Sequence, residues 1–242
     1  MTRWIAGVDG CPAGWIAAFR DLGSGEARLR VVGRFRDVIE APEQPEVIAV
    51  DMPIGLPARA GLGGRGPERL VRPLLGGRQS SVFSVPARAA VEAADYRAAC
   101  AAALKHSEPP RKVSKQAFFL FAKILEIDAL LRRQMELCER VWESHPEVAF
   151  WRMNGKRPLQ HPKKIRGRVN PEGIAERRAL LRGEGLSEAL VSHAVPKGAA
   201  LDDLIDALAV SVVAERIVRG EALSFPDPPE RDAHGLPVAI RA

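Results

Sequence analysis

The sequence is poor in cysteine. It has three, Cys11, Cys100 and Cys138, in 242 residues. Their odd number and wide spacing argue against a disulfide framework and leave no pair at metal-ligand spacing. A reducing, cytoplasmic location is the expectation. Long hydrophobic runs are missing too. No apolar stretch approaches the ~20 residues of a membrane span, so no membrane partner is expected. Met1-Thr2-Arg3-Trp4-Ile5 lacks a charged region followed by a long apolar stretch, so no signal peptide is expected. There is no internal repeat, no Walker-type loop, no Cys-x-x-Cys pair and no nucleophile elbow. Gly61-Leu62-Gly63-Gly64-Arg65-Gly66 fits G-x-G-x-x-G formally. A gap holding two prolines, Pro53 and Pro57, separates it from the preceding strand, so it reads as a lid or substrate loop rather than a dinucleotide site. An acidic surplus is also absent. The formal net charge of +6 admits DNA or RNA as a partner through phosphate contacts, and equally a basic surface with no such partner.

What is present is enough apolar sequence for a core, 46% of residues. Apolar runs predict strands over Trp4–Val8, Trp15–Phe19 and Ala27–Phe35, with a five-residue turn at Gly10–Gly14 between the first two. A short helix over Arg36–Glu40 precedes a buried strand over Glu46–Asp51. Residues 52–90 read as loop with a short helix at Glu68–Leu75. Helices are expected over Ala94–His106, as one long element over Ser114–Leu137, from Pro171 and over Leu201–Val218. A strand is expected at Arg140–Glu143 and an irregular strap from Phe225. The fold class predicted is α/β: a mixed sheet with helices on both faces, formed by a single domain over residues 1–242 with a mainly helical insertion at about 58–139.

Four acids stand out by position. Asp9 and Asp51 each end an apolar strand, and Asp203 and Asp206 share a helix face at i, i+3. Carboxylates brought together at adjacent strand ends repel unless a cation joins them. Mg²⁺ or Mn²⁺ suits such oxygen ligands, and two ions roughly 4 Å apart can stabilise a phosphodiester displacement. Each acid also has a plainer reading as a turn former or helix cap. Asp206 fits that reading least, since it sits one turn into an apolar helix.

The segment Asp203-Leu204-Ile205-Asp206-Ala207-Leu208-Ala209 resembles the last helix of RuvC-type resolvases, whose Asp-x-x-Asp-Ala-Leu-Ala pattern supplies two metal ligands. Gly7-Val8-Asp9-Gly10 resembles the first strand of that superfamily. Asp51 falls where a second-strand acid, usually Glu, is expected. A closer resemblance is to the DUF429 family of predicted ribonuclease H-like nucleases. It rests on Gly7-Val8-Asp9-Gly10-Cys11-Pro12-Ala13-Gly14-Trp15, Asp51-Met52-Pro53-Ile54-Gly55-Leu56-Pro57, Ser80-Ser81-Val82-Phe83, Pro86-Ala87-Arg88, Ser114-Lys115-Gln116-Ala117, Glu126-Ile127-Asp128, Glu143-Ser144-His145-Pro146-Glu147 and the late Asp pair. The resemblance implies a ribonuclease H-like sheet and metal-dependent cleavage of nucleic acid, with Asp9, Asp51, Asp203 and Asp206 as ligands.

Glu143 is a candidate fifth acid and His145 a candidate proton shuttle; the plainer reading has Pro146 and Glu147 opening a helix behind a surface histidine. Lys115 and Arg88 are candidate phosphate contacts. So are Lys163, Lys164 and Arg166 in the basic stretch His161–Arg168, whose plainer reading is a mobile solvated loop. No aromatic interleaves with that stretch to stack bases. Two rival functions share these residues. One is a kinase or ATPase relative of the sugar-kinase type, for which a second Gly-rich phosphate hairpin and an adenosine loop are wanting. The other is an inactive module that binds nucleic acid without cutting it.

Overall fold

The computed structural model describes residues 2–242. Five strands, β1 (Trp4–Cys11), β2 (Gly14–Asp21), β3 (Ala27–Val32), β4 (Val47–Val50) and β5 (Val141–Glu143), form one sheet in the order β3-β2-β1-β4-β5. β2 runs antiparallel to β1 and β3, while β4 runs parallel to β1 and β5. The α/β class is therefore the observed one. The first hairpin is tighter than its glycines and proline suggested. Cys11 pairs with Gly14, so β1 carries Asp9 inside the ladder rather than just past it. Gly14 holds φ 132°, and a Cβ there would lie 2.3 Å from the Val32 carbonyl oxygen, so glycine alone fits.

Side chains alternate across β1 and β4, and both faces are buried. Trp4, Ala6, Val8, Ile48 and Val50 join one core. There the segment between β4 and β5 supplies helices Tyr96–Lys105 and Phe121–Arg133. Ile5, Val47 and Ala49 join the opposite core, beneath helices Pro146–Met153, Pro171–Gly183 and Leu201–Val218. The last helix touches β1 at Gly7. A Cβ on Gly7 would lie 2.2 Å from both the Ala207 carbonyl oxygen and the Ser211 nitrogen, so the missing side chain lets helix and strand meet backbone to backbone.

Three expectations are corrected. Ser114–Leu137 is not one helix but Lys115–Phe118, Phe121–Arg133 and a 3-10 turn at Met135–Glu139. Leu120 N–H donates to the Ala117 carbonyl three residues back, which tightens the chain. Phe118 and Phe121 then stack edge to face at 5.4 Å, and Phe119 is left 74% exposed. The basic stretch is not a structureless loop. It forms the short hairpin of β6 (Lys164–Ile165) and β7 (Arg168–Val169), closed by Arg166 and Gly167 at φ 51° and 76°. The tail is not irregular either. β8 (Ser224–Arg231) and β9 (Pro237–Arg241) pair antiparallel, and prolines are tolerated because both strands are edges. Asp232 fixes their turn by accepting from the His234, Leu236 and Leu56 N–H groups at 2.8–3.1 Å.

Candidate metal centre

Strand register brings the first two acids together. Val8 and Val50 are partners on parallel strands, so Asp9 and Asp51 follow side by side, and Asp51 N–H donates to the Val8 carbonyl at 2.9 Å. By alternation both point to the face that carries the helix Leu201–Val218. Close packing at Gly7 then sets Asp206, one residue before Ala207, over the same spot. One carboxylate oxygen from each of Asp9, Asp51 and Asp206 lies within 4.8 Å of the others. Asp9 and Asp206 are buried and Asp51 is partly exposed, which opens the trio on one side.

The electrostatics follow from this crowding. Burial holds Asp9 well above the usual carboxylate range, and the charges of Asp51 and Asp206 push it the same way. Burial likewise raises Asp51, to about 6, with His145 opposing and Asp206 adding. Asp206 is raised by burial against the pull of Lys163. Three acids that resist ionising together in one partly open cup call for a cation. Asp206 Oδ1 is buried with no hydrogen-bond partner, an acceptor facing nothing that donates. An all-oxygen set with such an atom free fits a hard divalent ion.

Not every predicted residue joins the trio. Asp203 lies outside it, and its Oδ2 accepts from the Ala200 N–H at 2.8 Å, capping the helix. Glu143 is on the other side of the sheet. It pairs with Val50 in register, so alternation turns it away from Asp51. Its carboxylate is taken by Arg65 and by the Ile54 N–H at 2.7 Å. Arg88 is a partly buried strut, its guanidinium gripping Asp128 through two 2.8 Å bonds and Asp232 through a 2.9 Å bond, so it is not free for a phosphate. His145 caps helix Pro146–Met153, with Nδ1 accepting from the Glu147 N–H at 3.2 Å and Nε2 lying 3.3 Å from the Ser81 carbonyl oxygen. The plainer reading of that motif describes its structure, and the histidine still stands close enough to Asp51 to act on its charge. Lys115 is exposed at the start of its helix and Arg166 is exposed at the hairpin tip. Lys163 and Lys164 are not free. Lys163 Nζ pairs with Asp206, and Lys164 Nζ with Asp202 at 2.6 Å. Two acids on the last helix are thus matched by consecutive lysines at i, i+4, a spacing overlooked beside the i, i+3 pair.

Glu147 was also missed. It shares a motif with Glu143, yet it is the one whose charge bears on Asp51 and Asp206. Arg177, fully buried, pairs with its Oε1, while Oε2 has no partner. Proline at the first helical position was the only sequence cue that placed Glu147 one residue into a helix.

An α/β protein with three acids, two of them buried, converging from two parallel strands and a crossing helix is the class that fold and site define. The chain belongs to the family described as "Protein of unknown function (DUF429)", which it matches over residues 7–231. No curated protein and no solved structure matches it. Among the described residues no helix is long and apolar enough to cross a membrane.

Proposed function

We propose that the protein is a metal-dependent phosphodiesterase of ribonuclease H-like type that hydrolyses nucleic acid, with Mg²⁺ or Mn²⁺ held by Asp9, Asp51 and Asp206. The convergence of these three carboxylates carries the reading. A divalent ion bound by them supplies Lewis-acid stabilisation of the charge that develops on a phosphoryl group as its ester bond breaks. The chain contributes the rest. Gly7 fixes the helix against β1 and so fixes Asp206 relative to Asp9. The Gly10 N–H donates to Asp9 Oδ1 at 2.7 Å, which orients that carboxylate. Partial exposure of Asp51 leaves an approach for substrate. Arg166 and Arg168, exposed on the hairpin that follows Lys163, would supply phosphate contacts. Asp203 acts in this scheme by holding the helix start rather than by touching the ion.

A cleavage screen over structured and single-stranded DNA and RNA with Mn²⁺ tests the proposal. Cleavage by the wild type, reduced roughly 100-fold or more in Asp9→Asn, is the expected outcome. Undiminished cleavage by Asp9→Asn would refute the assignment. Binding without cleavage by the wild type would favour an inactive binding module, and ATP-dependent thermal stabilisation would favour the kinase-type relative.

A further inference from the structure

One cation already stands among the three acids. The Lys163 ammonium bonds Asp206 and acts on the charges of Asp9 and Asp51 as well. Its neighbour Lys164 pairs with Asp202 outside the trio. A lysine lying loosely on a surface would be unremarkable, but the backbone that carries Lys163 is clamped. The Gln160 and His161 N–H groups both donate to the Glu176 carboxylate at 2.9 Å. Arg177 donates to the His161 carbonyl at 3.0 Å. Asn170 donates its side-chain N–H to the Pro162 carbonyl and its backbone N–H to the Lys163 carbonyl, each at 2.9 Å. Helix Pro171–Gly183 presses against the same segment, and a Cβ on Gly173 would lie 2.1 Å from the Pro162 carbonyl oxygen. The clamp holds the lysine's Cα. It does not hold its four-carbon arm, whose side chain is 31% exposed.

We propose that the Lys163 ammonium is a built-in counter-ion of the acid trio, which a divalent ion displaces when it binds, and that the clamped backbone keeps the displaced ammonium at the rim of the site. The inference rests on the metal-site reading above and adds a competitor for that site. A divalent ion seated on the Asp206 carboxylate would repel an ammonium bonded to that same group. The three acids are drawn together by the lysine in the metal-free protein and by the metal in the loaded one. The lysine is a positioning residue in the first state. In the second its ammonium turns toward solvent, where an incoming phosphate would meet it.

Calorimetric titration of Mn²⁺ into wild type, Lys163→Met and Lys164→Met tests this. Methionine keeps the length and apolar stem of lysine and removes its charge. Removing a competing unit charge a few ångströms away should tighten Mn²⁺ binding by Lys163→Met at least about tenfold. Lys164→Met loses the same charge one residue along, so a change under about threefold there separates occupancy of the cup from general charge. Equal or weaker binding by Lys163→Met overturns the inference while leaving the metal site standing. Absence of Mn²⁺ binding in wild type and Lys163→Met alike overturns the inference together with the reading it rests on. If Lys163→Met does not fold without metal, the wild type supplies the test through amine labelling read by mass spectrometry. Lys163 should label slowly in EDTA and severalfold faster in saturating Mg²⁺, whereas an unchanged rate contradicts displacement.

Discussion

On the face of the sheet that packs against helices Tyr96–Lys105 and Phe121–Arg133, buried acids meet arginines. Glu43 takes Arg28 and Arg30 at 3.1 and 2.8 Å, Asp128 takes Arg88 at 2.8 Å, and Glu143 takes Arg65. Glu126, half-buried, is occupied differently, accepting from Trp15 Nε1 at 3.0 Å and from the Phe35 N–H. On the face that carries Leu201–Val218, Asp9, Asp51 and Asp206 crowd one another with a single lysine between them, and oxygen atoms are left over. The difference is one of saturation. A forked guanidinium matched to a carboxylate fastens two elements and leaves little capacity for anything else. Acids that share one ammonium keep an oxygen without a partner, as Asp206 does. The family motifs divide along the same line. Glu126 and Glu143 tie the inserted segment to the sheet through Trp15 and Arg65, and Asp128 reaches Asp232 through Arg88, while Asp9, Asp51 and Asp206 face one another.

Exchanging acids for amides on the two faces tests the contrast most strongly. Glu143→Gln takes from the buried Arg65 one of its two carboxylate partners, leaving Glu68, and should destabilise the protein by roughly 3 kcal/mol in chemical denaturation. Asp9→Asn relieves repulsion in the trio and should leave metal-free stability unchanged or raised by about 1 kcal/mol. Equal losses from the two substitutions would erase the distinction.

Gly7→Ala comes next. It forces a Cβ into the Ala207 carbonyl and the Ser211 nitrogen, and should cost about 3 kcal/mol of stability as the helix lifts from β1. Mn²⁺ affinity should fall with it, because Asp206 moves with the helix. A stable variant with undiminished affinity would show that the close approach does not set the site.

The smallest effect is one of pH. The folded value of Asp51, about 6, lies above the ~4 of an exposed aspartate. Between those values the folded, metal-free protein holds protons that the unfolded chain has released. The contribution of this group to stability is thus complete below about pH 4 and is lost as pH rises through about 6. Protons and metal compete for the same oxygens, so Mn²⁺ affinity should rise roughly tenfold from pH 5 to pH 7. A flat profile would mean that the ion binds elsewhere.

Much of this was legible in the sequence, and the limits have physical causes. Asp9 and Asp51 could be read because each follows an unbroken apolar run, the mark of a buried strand. Helix Leu201–Val218 was read to the residue from its apolar run and its acidic first turn. The misplacement of Glu143 came from register. A shift of one residue moves a side chain through the sheet, and nothing local to Val141-Trp142-Glu143 says that Glu143 pairs with Val50. The pairing of Lys163 with Asp206 was invisible for another reason. A lysine in a basic stretch looks like every other until the clamp around Pro162 and Asn170 is seen. The break near Phe119 and the hairpin of β8 and β9 likewise depend on partners distant in the chain.

Anomalous scattering from crystals soaked in Mn²⁺ is the most direct measurement. The account predicts a manganese peak among Asp9, Asp51 and Asp206, at roughly 2.0–2.6 Å from their oxygens, with the Lys163 ammonium withdrawn from Asp206. A saturating soak that leaves the trio without a peak and Lys163 still bonded to Asp206 would contradict it.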